Sequence, residues 1–376
     1  MRECRHCGSR FSSIDTTKIL ALDIGSGTLD ILFYDSGKNI ENCIKMVLPS
    51  PSVVYAKEVE KATQEGKDLF IDGDVIGGGA FAYALVKHVK KGYQVLMKEH
   101  CAYTIRNNLN QVKELGIKIV KNRPADFVGA ELNIKEVDIH SLKNFFEKFG
   151  EKLNNLDAIA IAVQDHGLSP KGISDRVFRF KSFEKLLERT QRLESFAFKE
   201  NEIPDYYIRM KSAVKAVKRD LPTVKIIVMD TAPAAFLGCL KDSKANGSKH
   251  LITVNVGNGH TTAALISNKK IVGIFEHHTE LLSPNKLKNF LTRFADGDLA
   301  NEEVFNDGGH GVYVKNPIGF SNIDAILVTG PKRSIFNKML MEFHFASPIG
   351  DVMMTGPIGL VEAAYKRLKG KSFEGF

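Results

Sequence analysis

One short pattern occurs twice in this chain, and the repetition narrows the possible folds more than any other feature. In "KILALDIGSGTLDILFYDSGK" (18–38) an apolar strand runs into Gly25-Ser26-Gly27-Thr28 and resumes as a second apolar strand. "KHLITVNVGNGHTTAALISNKK" (249–270) follows the same plan: Gly25 aligns with Gly257, Gly27 with Gly259 and Asp23 with Asn255. Each copy reads as a hairpin whose tight turn needs glycine's tolerance of positive φ. A hairpin alone does not account for Asp23, because an unpaired carboxylate at the end of an apolar strand is costly. Asp23 is either capped by turn amides or faces something positive. Two such hairpins in 376 residues, too many for one ordinary core, indicate a duplicated architecture.

The material between the copies is mixed α/β. Residues 77–92 begin with glycines and continue as a helix, and 130–153 carry a helix after Asp138. "LDAIAIAV" (156–163) and "VKIIVMD" (224–230) have the length and branched residues of buried strands. The first ends in Gln164-Asp165-His166-Gly167, and the second turns at Asp230 into the helix of "TAPAAFLGCL" (231–240). Strand ends of this kind are where α/β folds place their chemistry. Asp165 or His166 could take a proton from an acceptor hydroxyl or position a water, or Asp165 could cap local amides. Asp230 could hold metal-bound or attacking water, or could be the N-cap of the following helix. Polar residues 241–250 read as a linker, after which strand 270–278, helix 284–297, Gly-rich loop 306–314, strand 324–330 and helix 359–368 follow. Histidines crowd this second half: His260, His277, His278 and His310, with Glu276 nearby. A metal or phosphate contact would need them to converge, and adjacent His277 and His278 on a strand point to opposite faces.

Composition removes several classes. The net charge of +8 is spread along the chain, and the nearest candidate for a basic face with interleaved aromatics, 176–198, has the spacing of an amphipathic helix with a solvated face. Nucleic-acid binding is therefore not expected. No apolar run approaches the roughly 20 residues that cross a bilayer, and the start has no apolar leader, so a cytoplasmic protein without membrane contact is expected. Five cysteines make no disulfide framework in a chain this long. "ECRHCG" (3–8) is half of a metal knuckle: Cys4 and Cys7 could hold Zn²⁺ or an iron–sulfur cluster if a second chain, as in a homodimer, or a partner supplied the remaining ligands. The alternative is a terminus whose thiols do nothing.

Five elements, in their order along the chain, resemble the actin, DnaK-chaperone and sugar-kinase ATPase superfamily. Asp23-Ile24-Gly25-Ser26-Gly27-Thr28 is similar to its phosphate-1 motif, and Asn255-Val256-Gly257-Asn258-Gly259-His260-Thr261-Thr262 to its phosphate-2 motif. "APAAFLG" (232–238) and "TGPIGLVEAA" (355–364) resemble its connecting helices, and "AILVTGPKRS" (325–334), with Gly330 and Lys332, its adenosine motif. The chain also resembles an archaeal branch labelled a pyruvate formate-lyase activating enzyme. Radical enzymes of that kind share a C-x3-C-x2-C cluster, whereas here only Cys4 and Cys7 are paired. Three positions depart from the superfamily pattern: Asn255 replaces an aspartate, His260 a small residue, and Pro331 the second glycine of the adenosine motif.

The resemblance implies a two-lobed ribonuclease H-like, actin-like ATPase fold with duplicated mixed sheets and a central nucleotide cleft. The expected partition is a Cys-x-x-Cys segment (1–17), a first lobe with an inserted substrate or partner region (18–240), and a second lobe with adenosine motif and closing helix (249–376). ATP and Mg²⁺ are the implied cofactors. Physical logic agrees with the family pattern: glycine turns let main-chain N–H groups approach phosphates, and a hard cation gives Asp23 its positive partner. No P-loop or G-x-G-x-x-G pattern competes for a nucleotide. The expected function is an ATPase coupling hydrolysis and lobe closure to activation of a partner protein. The alternatives are a kinase acting on a small-molecule acceptor and a non-hydrolysing nucleotide sensor, for which Asn255 speaks.

Overall fold

The computed structural model describes residues 16–373; Cys4 and Cys7, and with them the N-terminal half-site, lie outside the described residues. Strands β1 (Lys18–Ile24) and β2 (Thr28–Asp35) form the first hairpin, and β3 (Ile44–Pro49) pairs antiparallel with β2. The chain then leaves this sheet through α1 (Pro51–Gln64), β4 (Leu69–Gly73), α2 (Gly79–Lys90) and β5 (Val95–Lys98). Short helices α3 (Glu99–Ala102) and α4 (Leu109–Glu114) lead to β6 (Ile117–Val120) and β7 (Ala130–Ile134). These strands make a separate parallel sheet ordered β6-β5-β4-β7, with α1 and α2 packed over it. After α5 (Ile139–Lys148), β8 (Ala158–Val163) returns to the first sheet parallel to β1. Helix α6 (Asp175–Arg189), the two-residue β9 (Phe198–Lys199), α7 (Ile208–Asp220), β10 (Lys225–Met229) and α8 (Thr231–Cys239) complete this half.

The second half repeats the plan. It runs β11 (His250–Val256), β12 (His260–Ser267), β13 (Lys270–His278), α9 (Pro284–Asp296) and α10 (Asn301–Asn306). Then come β14 (Gly311–Val314), β15 (Ala325–Thr329), the two-residue β16 (His344–Phe345) and α11 (Thr355–Lys369). The order β3-β2-β1-β8-β10 in one sheet matches β13-β12-β11-β15-β16 in the other. In each, three antiparallel strands are followed by two parallel ones. This is the duplicated ribonuclease H-like arrangement of actin-like ATPases, as the sequence implies.

Strand β8 shows why the first sheet is sandwiched. Ala158, Ala160 and Ala162 face the core built by α8 and α11, while Ile159, Ile161 and Val163 face the core built by α5 and α7. Small side chains on one face and large ones on the other let α8 and α11 lie close to the sheet. The two helices also meet through glycine. A Cβ on Gly359 would stand 1.8 Å from the Ala234 carbonyl oxygen, and one on Gly238 1.8 Å from that of Thr355. Gly359→Ala is therefore expected to lower stability in urea unfolding by about 3 kcal/mol, as overpacking against main chain does. An unchanged midpoint would contradict this crossing.

Three local expectations change. Helix α6 stops at Arg189, a 3-10 turn at Leu193–Phe196 follows, and Arg179 is buried rather than solvated. The Gly-rich loop near 306–314 closes into β14, and α11 starts at Thr355, packing on α8, β1 and β8. Among the described residues no helix is long and apolar enough to cross a membrane.

Candidate functional site

The two glycine hairpins meet tip to tip across a cleft of about 810 Å³. Each turn closes with the same hydrogen bond, Gly25 N–H to the Thr28 carbonyl and Gly257 N–H to the His260 carbonyl, both 2.9 Å. None of Gly25, Gly27, Gly257 and Gly259 lies in the left-handed region, so positive φ is not the reason for glycine here. Close approach is the better reason, since a Cβ on Gly27 would stand 2.6 Å from Asn258 Nδ2 and one on Gly257 2.8 Å from the His260 carbonyl. The main-chain N–H groups of Ser26, Gly27, Asn258 and Gly259 make no hydrogen bond with the described residues. Four free donors on facing turns could serve the oxygens of an anion.

Hairpin register brings Asp23 directly opposite Asp30, and the equivalent pair in the second hairpin is Asn255 and Thr262. The first lobe thus presents two facing carboxylates where the second presents an amide and a hydroxyl. Both acids line the cleft, and Oδ1 of each is buried without a hydrogen-bond partner. Like charges opposite each other on a ladder repel. Burial first, then Asp30 and Asp230, push the Asp23 carboxyl well above the usual range. Burial likewise raises Asp30 to about 7, against the Thr28 hydroxyl bond that lowers it and with Asp351 adding repulsion. Helix α11 closes on the same spot, because a Cβ on Gly356 would stand 1.9 Å from Asp23 Oδ2. An orphaned carboxylate pair opposite free N–H groups fits a hard divalent cation carrying phosphates.

Behind the pair, Arg179 ties the lobes together. Its guanidinium binds Asp230 through two nitrogens at 2.7 and 3.0 Å and Glu276 at 2.9 Å. All three are nearly inaccessible, at 2%, 3% and 0% exposure. Burial opposes the Glu276 charge, yet Arg179 and then His310 hold its carboxyl well below the usual range. Asp230 also caps α8 through the Ala232 N–H, so the helix-cap and charged-partner readings hold together. Asp165 caps α7 instead: its carboxylate accepts from Arg209 N–H at 2.8 Å, Met210 N–H at 3.0 Å and Gly167 N–H at 2.9 Å. Main-chain donors thus occupy both of its oxygens, while burial raises its carboxyl above the ordinary value.

Several expected contacts stand elsewhere. Asp23, Gly25, Ser26, Thr28, Gly257, Asn258, Gly259, His260 and Gly330 line the cleft. Thr261 lies beneath the turn, bonded to the Thr279 hydroxyl at 3.0 Å, and strand alternation gives the cleft to Thr262. Lys332 is exposed outside the lining, whereas Gly330, at φ 97°, lines the cleft, and a Cβ there would stand 2.6 Å from Asn255 Oδ1. His277 is buried against Asp307 in the second lobe, while His278 lines the cleft, as alternation requires. His166, His260 and His310 line the same wall. Cys43, Cys101 and Cys239 are buried free thiols, with burial raising Cys101 to about 12.

A family model described as "Putative pyruvate format-lyase activating enzyme (DUF1786)" matches residues 76–335. No curated protein sequence matches the chain. Among solved structures, the chain is similar to a ROK hexokinase from Thermus thermophilus at 12% identity, covering 94% of this chain and 100% of that one, with a TM-score of 0.33. It is similar to MreB5 of Spiroplasma citri bound to ADP at 12% identity, covering 94% and 99%, TM-score 0.35. An Aquifex aeolicus member of the Ppx/GppA family matches at 11% identity, covering 84% and 67%, TM-score 0.31.

Proposed function

The chain belongs to the DUF1786 family, and from that membership and its cleft we propose that it is a Mg²⁺-dependent ATPase whose lobes respond to the nucleotide. The single observation that carries this reading is the facing Asp23–Asp30 pair, each with an unpartnered Oδ1, in a cleft lined by two glycine turns with free N–H groups. Asp23 and Asp30 would hold Mg²⁺, which when bound offsets phosphate charge. Ser26, Gly27, Asn258 and Gly259 would donate main-chain N–H groups to phosphate oxygens. Gly330 leaves room on the adenosine side. Residues 18–240 and 249–376 would act as the two lobes, with the 1–17 segment joining a partner.

Hydrolysis with partner activation is favoured over transfer to an acceptor because Asp165, the nearest candidate base, is held by α7. The description of the family as an activating enzyme agrees with a partner protein as the target. Phosphate release from Mg-ATP, followed with and without a panel of hydroxyl and carboxylate acceptors, tests the reading. Acceptor-independent phosphate release is expected. Label appearing only on an acceptor would make the chain a kinase, and bound nucleotide with no turnover would make it a sensor.

A further inference from the structure

The cleft that holds the carboxylate pair also carries imidazoles drawn from three distant parts of the chain. His166 follows β8, His260 opens β12 and His310 precedes β14. Each offers a ring nitrogen, and these three nitrogens lie within 4.8 Å of one another. Ring centroids stand 6.1 Å apart for His166 and His260, 5.3 Å for His166 and His310, and 4.8 Å for His260 and His310. His278 closes the group, 4.6 Å from His260 and 5.1 Å from His310.

Buried ring nitrogens normally find hydrogen-bond partners. Here His260 Nε2 is buried without one, and His310, only 2% exposed, turns its Nδ1 towards a carboxylate. The nearest acid to His310 Nδ1 is Glu276 Oε1 at 3.5 Å, placed to orient the ring from behind. Glu276 is itself held by Arg179 and by Gln164 Nε2 at 3.0 Å. Imidazole, carboxylate and a further anchored partner in sequence form the outer shell that usually fixes a metal-binding histidine.

We propose that His166, His260 and His310 bind one first-row divalent transition metal ion, of which Zn²⁺ is the type. Neutral imidazole nitrogens select such ions over Mg²⁺, which prefers oxygen. Burial first, then Arg179 and His310, hold His166 well below its ordinary value. Burial also lowers His260 to about 3. Ligand nitrogens of a tetrahedral zinc site lie about 3.3 Å apart, so side-chain shifts of under about 1 Å would close this one. Three protein ligands leave a position facing the cleft, which is the arrangement of a site that holds water or a substrate oxygen rather than a purely structural one. The metal would thus share the cleft with Asp23 and Asp30 through ligands of its own, and its binding does not depend on a nucleotide being present.

Co²⁺ titration into chelator-stripped, untagged full-length protein tests this, with visible absorption and calorimetry as readouts. The Cys4→Ser/Cys7→Ser background removes the N-terminal thiols as competing ligands. One Co²⁺ per chain with the strong visible bands of a four-coordinate site, displaced by Zn²⁺, is expected. His260→Asn and, separately, His166→Asn should each weaken Co²⁺ binding by about 100-fold or more, as loss of a ligand does. A thermal melt confirms that each variant is folded, and either one suffices if the other is not. Absence of Co²⁺ binding in the background protein, or binding retained in a folded histidine variant, would overturn the proposal. Asp23→Asn should leave Co²⁺ binding in place, which separates this site from the Mg²⁺ pair.

Discussion

Arg179→Ala is expected to cost about 3–5 kcal/mol of stability, the range for removing one partner of a buried ion pair. The loss is large because the variant leaves Asp230 and Glu276 as buried carboxylates without a counter-charge. Urea unfolding near neutral pH should show it as a lower midpoint. The pH dependence gives an independent signature. Glu276 in the folded protein has a lowered pKa, so its contribution is complete above the ordinary carboxylate value and fades as pH falls through the lowered one. Without Arg179 the same burial raises that pKa, so acidification should narrow the gap between variant and wild type. Converting Asp230 and Glu276 to Asn and Gln in the Arg179→Ala protein should recover part of the loss. A midpoint unchanged by Arg179→Ala would mean that the triad does not join the lobes.

Asp23→Asn is expected to lower ATP turnover by at least about 100-fold, since losing a metal anchor forfeits several kcal/mol of charge stabilisation. The fold should not suffer. Without Mg²⁺ the variant should equal or exceed wild type in thermal stability, because it removes one of two facing carboxylates. The sign follows from the raised pKa values. Folded Asp23 keeps its proton well above the usual range while an unfolded aspartate loses it near 4, so wild-type stability falls as pH rises above about 4, a loss the variant does not share. The advantage of the variant should therefore grow as pH rises towards and past about 7. Mg²⁺ should raise the wild-type melt most on the alkaline side of that value and leave the variant nearly unmoved. A variant that melts early at every pH, with normal turnover per folded molecule, would make Asp23 a structural residue.

The repeated hairpins were legible because strand alternation and glycine spacing are local signals, and the duplicated sheet order follows from them. Asp30 was within reach as well. Counting the hairpin ladder back from Gly25 and Thr28 pairs Ile24 with Leu29 and then Asp23 with Asp30. The same counting gives Thr262, rather than Thr261, the cleft-facing side of β12. Arg179 was hidden for a different reason: it stands among lysines, glutamates and other arginines, and only packing between the lobes tells the buried guanidinium from its solvated neighbours. Histidine convergence was equally out of reach, because His166 and His310 are brought together by the pairing of two halves far apart in sequence. Asp165 was correctly placed at a strand end, but whether such a carboxylate serves a substrate or a helix depends on where α7 begins.

Calorimetric titration of Mg-ATP into wild type and Gly259→Val tests the nucleotide cleft most directly. Gly259 suits the purpose because a Cβ there meets only Ser26 Oγ at 3.6 Å, so the added bulk fills the gap between the hairpin tips without forcing main chain apart. Saturable binding of one Mg-ATP to wild type, lost in a Gly259→Val protein with an unchanged melt, is the expected result. Equal binding to both proteins, or none to wild type, would contradict a nucleotide held between the two glycine turns.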